Sequence, residues 1–417
     1  MKRVLVIGSG GREHAIVDAL SRSSHVGKIY CAPGNAGIAA LAECVSIKDT
    51  DIEALAAFAE QNEIDLTVVG PEASLARGIS DLFAERGLAI FAPSKAAAQI
   101  ESSKEFAKHL MKKYDIPTAD YQVFDNYEEA VQYVDAHSLP TVIKYDGLAA
   151  GKGVVVALTA EEAHDALRDM LLDDKFGHGR VVIEEFLTGP EFSFMCFVDG
   201  ENVYPMQIAQ DHKRAFDGDK GPNTGGMGAY SPVPFISGED VDYAYNNIMC
   251  PVAKALIAEG CSFSGVLYGG LMRTPSGVKV IEFNARFGDP ETEVVLPRLE
   301  SDIYEIFDAI AHHRPVGSIV WSEKAAVGVV LASEGYPGSY EKGALIEGVE
   351  DVCGRVYHMG TRLEDGRLLS NGGRVLFVTA MADTIAEAQK AANNEVGKIK
   401  CDKLFHRSDI AWQAIKK

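Results

Sequence analysis

One segment carries the clearest chemical signal in this sequence: VKVIEFNARFGDPE, residues 278–291. Side chains alternate between the two faces of a β-strand, so Glu282, Asn284 and Arg286 are predicted to share one face, with Ile281 and Phe283 packed on the other. A carboxylate and an amide oxygen two residues apart are hard ligands suited to magnesium, and Arg286 can meet a negatively charged group beside them. The alternative is a structural ion pair between Glu282 and Arg286.

A second segment combines a lysine with a glycine-rich loop: PTVIKYDGLAAGKGV, residues 140–154. Lys144 lies inside an apolar strand, where a lysine that points into a core needs a charge partner. The loop that follows has three glycines and Lys152, and glycine lets backbone N–H groups approach phosphates closely. The alternative is a hairpin with an exposed lysine.

A helix is predicted to begin at Ser102-Ser103-Lys104-Glu105, because the spacing from serine to glutamate is that of a capping box. We expect it to continue through Phe106, Leu110 and Met111. Lys104 then lies in the first turn, where a cation opposes the helix dipole. It is therefore either a solvated surface residue or one held by an anion.

Two further segments are rich in polar groups. VIEEFLTGPE, residues 182–191, ends a strand in a linker whose backbone can contact a planar base, and Glu191 can accept from ribose hydroxyls. Solvated acidic residues are the alternative. QDHKR, residues 210–214, precedes the glycine-rich GPNTGGMG, residues 221–228. So much glycine with few apolar anchors predicts a disordered loop or a lid over a substrate, and the polar cluster favours the lid.

The first hundred residues alternate apolar strands with amphipathic helices, which is typical of a parallel, doubly wound sheet. The predicted elements include strands 4–7 and 66–69 and helices 13–21 and 52–61. GSGGRE, residues 8–13, joins the first strand to a helix. Glu13 occupies the position where a dinucleotide-binding turn needs a small residue, which disfavours a nicotinamide enzyme. The turn can still offer backbone N–H groups to a phosphate, beside Arg12, or can bind nothing.

Composition narrows the functional class. A chain of 417 residues is long enough for two to four domains, and its 47% hydrophobic content is ordinary for globular proteins. The formal charge of −20 disfavours sequence-independent binding to nucleic acid. Seven scattered cysteines indicate reduced, buried thiols rather than disulfides or a zinc site. With no apolar stretch of about 20 residues and no signal peptide, we expect a cytoplasmic protein that does not contact membranes.

Two lysines, a glycine loop, an acidic linker and a Glu-x-Asn strand occur here in an order that resembles the ATP-grasp fold. The strings VIGSGGREH (6–14), DGLAAGKG (146–153), GPNTGGMG (221–228) and EFNARFGDPE (282–291) resemble the phosphoribosylamine–glycine ligase family within it. The similarity runs from Met1 to about Ala411. It implies a multidomain protein of α/β and α+β class with a doubly wound N-terminal domain, central ATP-grasp domains and a small C-terminal domain.

The resemblance also implies boundaries and a reaction. The expected units are residues 1–100 on the sugar-phosphate side, 101–117 with 189–325 as the central ATP-grasp domain, 118–188 as a small mobile nucleotide-covering subdomain, and 326–417 as the C-terminal domain. The implied reaction joins glycine to 5-phosphoribosylamine in de novo purine biosynthesis and uses ATP with Mg²⁺ or Mn²⁺. Glycyl phosphate is the implied intermediate. The expected assembly is a monomer or a weak homodimer.

Carried onto this sequence, the family pattern assigns a role to each candidate residue. The ATP contacts would be Lys104, Lys144, Gly151, Gly153, Glu184, Glu185, Leu187 and Glu191. The metal ligands would be Glu282 and Asn284, and the catalytic group would be Arg286, Asp289, Asp211 and Lys213. The other substrate contacts would be Gly10, Gly11, Arg12, Glu72, Asn223, Thr224, Gly225, Gly226 and Arg374.

The sequence departs from the family pattern in two places. Residues 266–272, on the strand before the Glu-x-Asn strand, have no carboxylate, which leaves the number of ligands to a second metal open. Near the C-terminus, His406 and Ala411 stand where tyrosine and glycine are expected. Three other functions remain alternatives: an ATP-grasp ligase for a different amine, a non-catalytic ATP-binding module, and a dehydrogenase.

Overall fold

The computed structural model describes residues 1–147, 153–173, 175, 177 and 179–415. The N-terminal region alternates strands and helices, as the sequence predicts. Its elements are β1 (Lys2–Gly8), α1 (Gly11–Ser21), β2 (Val26–Pro33), β3 (Glu43–Cys44), α2 (Ile52–Gln61), β4 (Leu66–Val69), α3 (Glu72–Ala76), α4 (Ile79–Glu85), β5 (Ile90–Phe91) and α5 (Gln99–Ser102), with a 3₁₀ turn at Ile38–Ala40.

The N-terminal sheet is parallel and has the strand order β3-β2-β1-β4-β5. Residues 4–7 of β1 are fully buried because helices cover both faces of such a sheet. The carboxyl ends of β1 and β4 meet at the side chain of Glu13. A Cβ atom at Gly70 would overlap the Glu13 carboxylate, so only glycine fits this close approach. This edge of the sheet faces the candidate site.

The next region forms a small antiparallel sheet of order β6-β9-β7-β8, flanked by two helices. Its apolar cluster is separate from the main core, which is shared by the N-terminal, central and C-terminal sheets. The elements are α6 (Lys104–Lys113), β6 (Tyr121–Phe124), α7 (Tyr127–Ala136), β7 (Thr141–Tyr145), β8 (Val154–Ala157), α8 (Ala160–Leu171) and β9 (Val181–Glu185).

Helix α6 begins one residue later than a capping box at Ser102 would place it. Ser103 is the N-cap, and its hydroxyl accepts a hydrogen bond from the Phe106 N–H at 3.1 Å. Glu105 does not complete the box but pairs with Arg180 at 2.7 Å. The predicted helix is therefore confirmed, while its predicted cap is wrong by one position.

The central region is built on an antiparallel sheet of order β11-β10-β16-β17. Its elements are β10 (Glu191–Asp199), β11 (Asn202–Pro205), β12 (Gln210–Asp211), β13 (Arg214–Phe216), β14 (Lys220–Asn223), β15 (Gly228–Ser231), α9 (Gly238–Ala244), α10 (Cys250–Ala258), β16 (Ser264–Thr274), β17 (Gly277–Asn284), α11 (Thr292–Val295) and α12 (Ile303–Ala311), with a π-helical turn at Tyr245–Met249 and a 3₁₀ turn at Leu296–Arg298.

A bulge interrupts β17. Gly270 pairs with Glu282 but Leu271 pairs with Val280, which leaves Ile281 as the extra residue. Ile281 consequently lines the cleft beside Glu282 instead of packing on the opposite face with Phe283. The prediction for Ile281 is wrong because a bulge resets the alternation of side chains within the strand.

The C-terminal region completes a sheet that begins in the central region. Its order is β12-β15-β18-β22-β19, and β23 also pairs with β18. The remaining elements are β18 (Ala325–Ser333), β19 (Arg355–His358), β20 (Thr361–Glu364), β21 (Arg367–Ser370), β22 (Arg374–Ala382), α13 (Ile385–Val396), β23 (Leu404–Phe405) and α14 (Trp412–Ile415), with a 3₁₀ turn at Val349–Asp351. Strands β12 and β15 therefore tie the C-terminal sheet directly to the polar segment at residues 210–228.

The fold class expected from the sequence is confirmed. Within the described residues, no helix is long and apolar enough to cross a membrane. All the cysteines are free, as expected, but Cys44 and Cys353 are exposed rather than buried.

Candidate active site

A buried group of two lysines and one glutamate lies between the small sheet and helix α6. Lys144 Nζ lies 2.9 Å from Glu184 Oε1, and Lys108 Nζ lies 3.1 Å from Glu184 Oε2. Glu184 reaches Lys144 because β7 and β9 are neighbours in one sheet, with Val142 opposite Glu184. Lys144 also donates to the carbonyl of Ile281 at 2.9 Å, which joins the small sheet to β17.

Lys144 thus has the charge partner that its place in an apolar strand requires, and it is not the exposed lysine of a simple hairpin. Glu184 was expected to contribute to the adenine-binding linker, and its carboxylate instead neutralises the two lysines. Its backbone remains available to contact a base, together with the cleft-lining Glu185 and Leu187.

Lys108 is a site residue that the sequence analysis missed. Its side chain is 3% exposed, and burial lowers the pKa of Lys108 to about 8, against the opposing effect of Glu184. It also donates to Thr118 Oγ1 at 2.8 Å. The signal was present in the sequence, because Lys108 lies one turn after Lys104 among the apolar residues of α6.

Lys104 lies at the same end of the cleft. Its ammonium donates to the Gly147 carbonyl at 3.0 Å, at the start of the glycine-rich loop. Burial lowers the pKa of Lys104, while Glu282 acts in the opposite direction. Gly153 lines the cleft beside it. Gly151 and Lys152, also singled out in the sequence, lie outside the described residues.

The Glu-x-Asn pair lines the cleft next to these lysines. Asn284 Oδ1 accepts from Arg286 Nη2 at 3.3 Å. Arg286 pairs with Glu101 at 2.9 Å and lies 3.8 Å from Glu72, so its carboxylate partners are these two residues rather than Glu282. The alternative of a Glu282–Arg286 ion pair is therefore excluded in this structure.

The donor set fits a hard cation that shares its coordination with phosphates. Glu282 and Asn284 supply oxygen donors, and the described residues contain no cluster of three or more His, Cys, Asp or Glu side chains able to hold a metal. Magnesium prefers such a site, because it usually keeps only one or two protein ligands and takes the others from phosphate and water.

Two arginines and three glutamates balance charge where the N-terminal domain meets the cleft. Arg12 pairs with Glu13 at 2.6 Å, and Arg286 pairs with Glu101. Burial raises the pKa of Glu101 despite the nearby Arg286. The pKa of Glu72 is lowered instead. Burial alone would raise this pKa, but the positive charges of Arg286 and Arg12 outweigh the effect of burial. Glu72 is thus an ionised group at the cleft wall.

The glycine-rich turn at the start of α1 is partly occupied by its own chain. The Gly10 N–H donates to Glu13 Oε2 at 2.6 Å, and Arg12 donates to the Phe287 carbonyl at 3.2 Å. Arg12 lines the main cleft, whereas Gly10 and Gly11 do not; Gly10 is partly exposed and Gly11 is buried. Glu13, the residue that disfavoured a nicotinamide site, is therefore the side chain that organises this turn.

A polar patch occupies the central part of the cleft. Glu291 accepts hydrogen bonds from Ser193 Oγ and the Tyr268 hydroxyl, each at 2.8 Å. Lys213 pairs with Asp211 at 2.9 Å. Burial raises the pKa of Glu291, and the neighbouring Asp211 adds to the effect. Asp211 and Lys213 were predicted from the sequence to be site residues. Ser193, Tyr268 and Glu291 were not, because they come together only through the pairing of separate strands and loops.

Burial also raises the pKa of Glu191, while Lys213 opposes the shift. Glu191 was predicted to hold a ribose. It lies in the same cleft as Lys213 and Tyr268, near the linker of β9.

The far end of the cleft is closed by Arg374, which pairs with Asp289 at 2.9 Å and donates to the Gly225 carbonyl at 2.7 Å. Thr224 donates from Oγ1 to the Lys213 carbonyl at 2.8 Å. The segment at residues 210–228 is therefore ordered. Strands β13 and β14 within it form a hairpin that backbone pairing stabilises, and Phe216 of β13 packs against Phe405 with ring centroids 5.8 Å apart.

One continuous cleft brings most of the predicted residues together. Its walls include Arg12, Glu72, Lys144, Glu184, Glu185, Leu187, Glu191, Asp211, Lys213, Asn223, Thr224, Gly225, Glu282, Asn284, Arg286, Asp289 and Arg374. Lys104 and Gly153 join at the lysine end. Gly226 is adjacent, with φ +108, and a Cβ there would contact Pro290.

Comparison with known proteins connects this geometry to a family. Family models for the N domain, the ATP-grasp (A) domain and the C domain of phosphoribosylglycinamide synthetase match residues 2–101, 102–292 and 326–413. The chain belongs to the phosphoribosylglycinamide synthetase family. The matches cover nearly the whole chain, and they confirm the family resemblance seen in the sequence.

Relatives of this synthetase support the assignment. A phosphoribosylamine–glycine ligase of Halalkalibacterium halodurans is 56% identical over 416 residues, covering 99% of this chain and 97% of the relative. One from Pseudomonas aeruginosa is 48% identical, covering 99% and 98%. The crystal structure of a phosphoribosylamine–glycine ligase from Thermotoga maritima matches with a TM-score of 0.86 at 33% identity, covering 98% of this chain and all of that one.

The fold extends to more distant proteins. A biotin carboxylase from Campylobacter jejuni matches with a TM-score of 0.75 at 14% identity, covering all of this chain and 95% of that one. At this identity the likeness concerns the fold alone.

Proposed function

We propose that this synthetase joins glycine to 5-phosphoribosylamine at the expense of ATP, giving glycinamide ribonucleotide, ADP and phosphate in de novo purine biosynthesis. The observation that carries the proposal is that the buried lysines, the Glu282–Asn284 pair and Arg286 lie side by side in one cleft. The chain that holds this cleft belongs to the synthetase family. A triphosphate, its metal and a carboxylate substrate can thus occupy adjoining positions.

We assign the lysine end of the cleft to ATP. Lys104 and Lys144 would neutralise the phosphates together with Gly153 and the glycine-rich loop, and the 184–187 linker would contact the adenine. Glu191 would hold the ribose. Lys144 is suited to this role because Glu184 and the Ile281 carbonyl fix its ammonium at the junction of two sheets.

Glu282 and Asn284 would hold the divalent cation, which supplies charge neutralisation to the phosphates when it is bound. We favour Mg²⁺, with Mn²⁺ as a substitute, because the donor set is a carboxylate and an amide oxygen. Asn284 is already oriented by the hydrogen bond from Arg286.

The chemistry assigned to the protein is positioning and charge stabilisation, so a covalent nucleophile is not required. A carboxylate oxygen of glycine attacks the terminal phosphorus as the bond to ADP breaks, which forms glycyl phosphate. The nitrogen of phosphoribosylamine then attacks the carbonyl carbon, loses a proton and releases phosphate. Arg286 would stabilise the carboxylate and the acyl phosphate, with Asp211, Lys213 and Asp289 close to the reacting groups.

The sugar phosphate is assigned to the other end of the cleft. Arg12, Asn223–Gly225 and Arg374 line this end, Gly226 is adjacent, and Glu72 lines both this end and the lysine end. We assign the Gly10–Gly11 turn to the same substrate. We keep the division into residues 1–100, 101–117 with 189–325, 118–188 and 326–417 as the functional units, acting in the cytoplasm as a monomer or weak homodimer.

Phosphate release tests the proposal directly. The protein, ATP and magnesium are mixed with glycine, with freshly generated phosphoribosylamine, or with both. Release that requires both substrates supports the ligase. Absence of release despite tight ATP binding would refute the substrate assignment, and a screen of other amines and carboxylates would then test the related-ligase alternative.

A further inference from the structure

The C-terminal segment holds a fully buried arginine that the reaction does not explain. Arg407 has no exposed side-chain surface, and its guanidinium is held on three sides. Nε lies 2.8 Å from Asp409 Oδ1, Nη2 lies 2.9 Å from Asp219 Oδ1, and Nη1 donates to the Arg214 carbonyl at 3.0 Å. Asp219 and Arg214 both belong to the β13–β14 hairpin, so Arg407 joins the end of the chain to that hairpin.

Further contacts hold the same hairpin turn. The Ser408 N–H and hydroxyl donate to Asp217 at 2.9 and 2.6 Å. The Gly218 N–H donates to Asp409 Oδ2 at 2.7 Å, and Trp412 Nε1 donates to Asp219 Oδ2 at 3.0 Å. We call residues 407–412 the C-terminal clasp. Its hydrogen bonds fix the turn in position although the hairpin has few apolar anchors.

The other end of the hairpin lies in the cleft. Asp211 and Lys213 precede β13, Asn223 is the last residue of β14 and Thr224 follows it, and all four line the cleft. The Thr224 N–H donates to the Lys213 carbonyl at 2.7 Å, which ties the two ends together.

His212 provides a second link between the clasp and the site. It lies between Asp211 and Lys213, and its Nε2 accepts a hydrogen bond from the Ala411 N–H at 2.9 Å. Its Nδ1 faces Asp219 at 3.7 Å. The clasp therefore holds both the turn of the hairpin and the backbone of the cleft residues.

A buried ion-pair network is an inefficient source of stability, since hydrophobic packing of equal volume often stabilises a fold as well or better. Such a network does fix one geometry, because each buried charge requires its particular partners. We propose that Arg407 is a positioning residue, which acts through Asp219 and the hairpin to set the cleft wall at Asn223–Gly225 and Lys213. The inference rests on the proposed function and adds a determinant outside the cleft.

Steady-state kinetics of the full-length Arg407→Met variant test this role. Displacing one wall of the cleft should raise the KM for phosphoribosylamine about tenfold or more, while the KM for ATP stays within about twofold of the wild type. Arg407→Lys keeps the charge and should recover part of the loss. Arg362→Met is the matched control, because Arg362 is a half-exposed arginine on β20 that pairs with Glu364, and its kinetics should equal those of the wild type.

Two milder variants apply if Arg407→Met does not fold. Trp412→Phe removes the indole donor to Asp219 and keeps an aromatic ring, and Ser408→Ala removes the hydroxyl donor to Asp217. Each should raise the KM for phosphoribosylamine selectively, by a smaller factor. Unchanged KM values, or an equal rise for ATP, would overturn the positioning role.

Hydrogen exchange in the ligand-free protein separates this inference from the proposed function. The variants should exchange faster at residues 211–225 than the wild type, whether or not the chain is a ligase. A wild type without ligase turnover would refute the proposed function. An active wild type with variants that show neither faster exchange nor the selective KM change would refute the clasp.

Discussion

Replacing Lys108 by methionine measures the free energy that burial of this ammonium contributes to pH-dependent stability. In the unfolded chain a lysine keeps its proton up to a pKa near 10.5, whereas burial lowers the pKa of folded Lys108 to about 8. Between these values the unfolded chain binds more protons than the native state, so stability rises with pH. The full difference, at about 1.4 kcal/mol per pH unit, is about 3 kcal/mol.

Burial of the charged Lys108 lowers the free energy of unfolding. Between about pH 7 and about pH 9.5 the wild type should regain about 2 kcal/mol of that loss, because the folded protein releases the proton from Lys108. Lys108→Met carries no titrating group at this position and should gain none of it. Glu184 keeps its ion pair with Lys144 in the variant, so no buried carboxylate is left without a cation. The stability difference, wild type minus variant, should therefore increase by about 2 kcal/mol over this range.

The assay is urea unfolding of both proteins at the two pH values, because thiols and tyrosines that titrate in both proteins cancel in the difference. Lys112→Met is the control, since Lys112 lies on the same helix but is exposed, and it should follow the pH profile of the wild type. Parallel profiles for wild type and Lys108→Met would refute the reasoning, as would an equal effect in the control.

Three further outcomes are expected. Glu282→Ala should abolish turnover and the magnesium dependence of ATP binding measured by calorimetry while the circular dichroism spectrum is unchanged; near-normal activity with magnesium would contradict the metal assignment. Asp115→Gly should raise the free energy of unfolding by about 0.5 kcal/mol. Exposed Asp115 follows helix α6 with φ +53, and glycine adopts this conformation without strain. An unchanged or lower denaturation midpoint would argue against this effect. Thiol reagents should modify Cys44 and Cys353 first in the native protein, as peptide mapping would show, because the other cysteines are at least partly buried.

Local pattern was sufficient for the N-terminal domain. Helix 52–61 and strand 66–69 have the predicted bounds, because apolar spacing and the Asp51 cap define them within a few residues of sequence. The prediction that Lys144 needs a charge partner was also correct. Which residue is the partner could not be predicted, because Glu184 reaches Lys144 only through the register of β7 against β9.

Long-range pairing explains what could not be predicted. The bulge at Ile281 depends on the facing strand β16, which alternation within β17 does not contain. The segment at 210–228 was predicted to be a disordered loop or a lid, with the lid favoured. Residues 214–223 of this segment form a hairpin, which residues 407–412 contact from almost two hundred positions away, and its role as a lid stays a prediction. Polar partners at that separation leave no periodic signal in a single sequence.

Because one sheet has the strand order β12-β15-β18-β22-β19, the C-terminal region and the cleft should unfold together. Asp211 lies on the first strand of this sheet, and the central strand β18 belongs to the last part of the chain. If β18 detached, β15 would become an unprotected edge with free backbone donors and acceptors, which is a template for aggregation. Proteolysis of the C-terminal region should therefore inactivate and precipitate the protein together, and a fragment that ends before β18 should be recovered only in insoluble form.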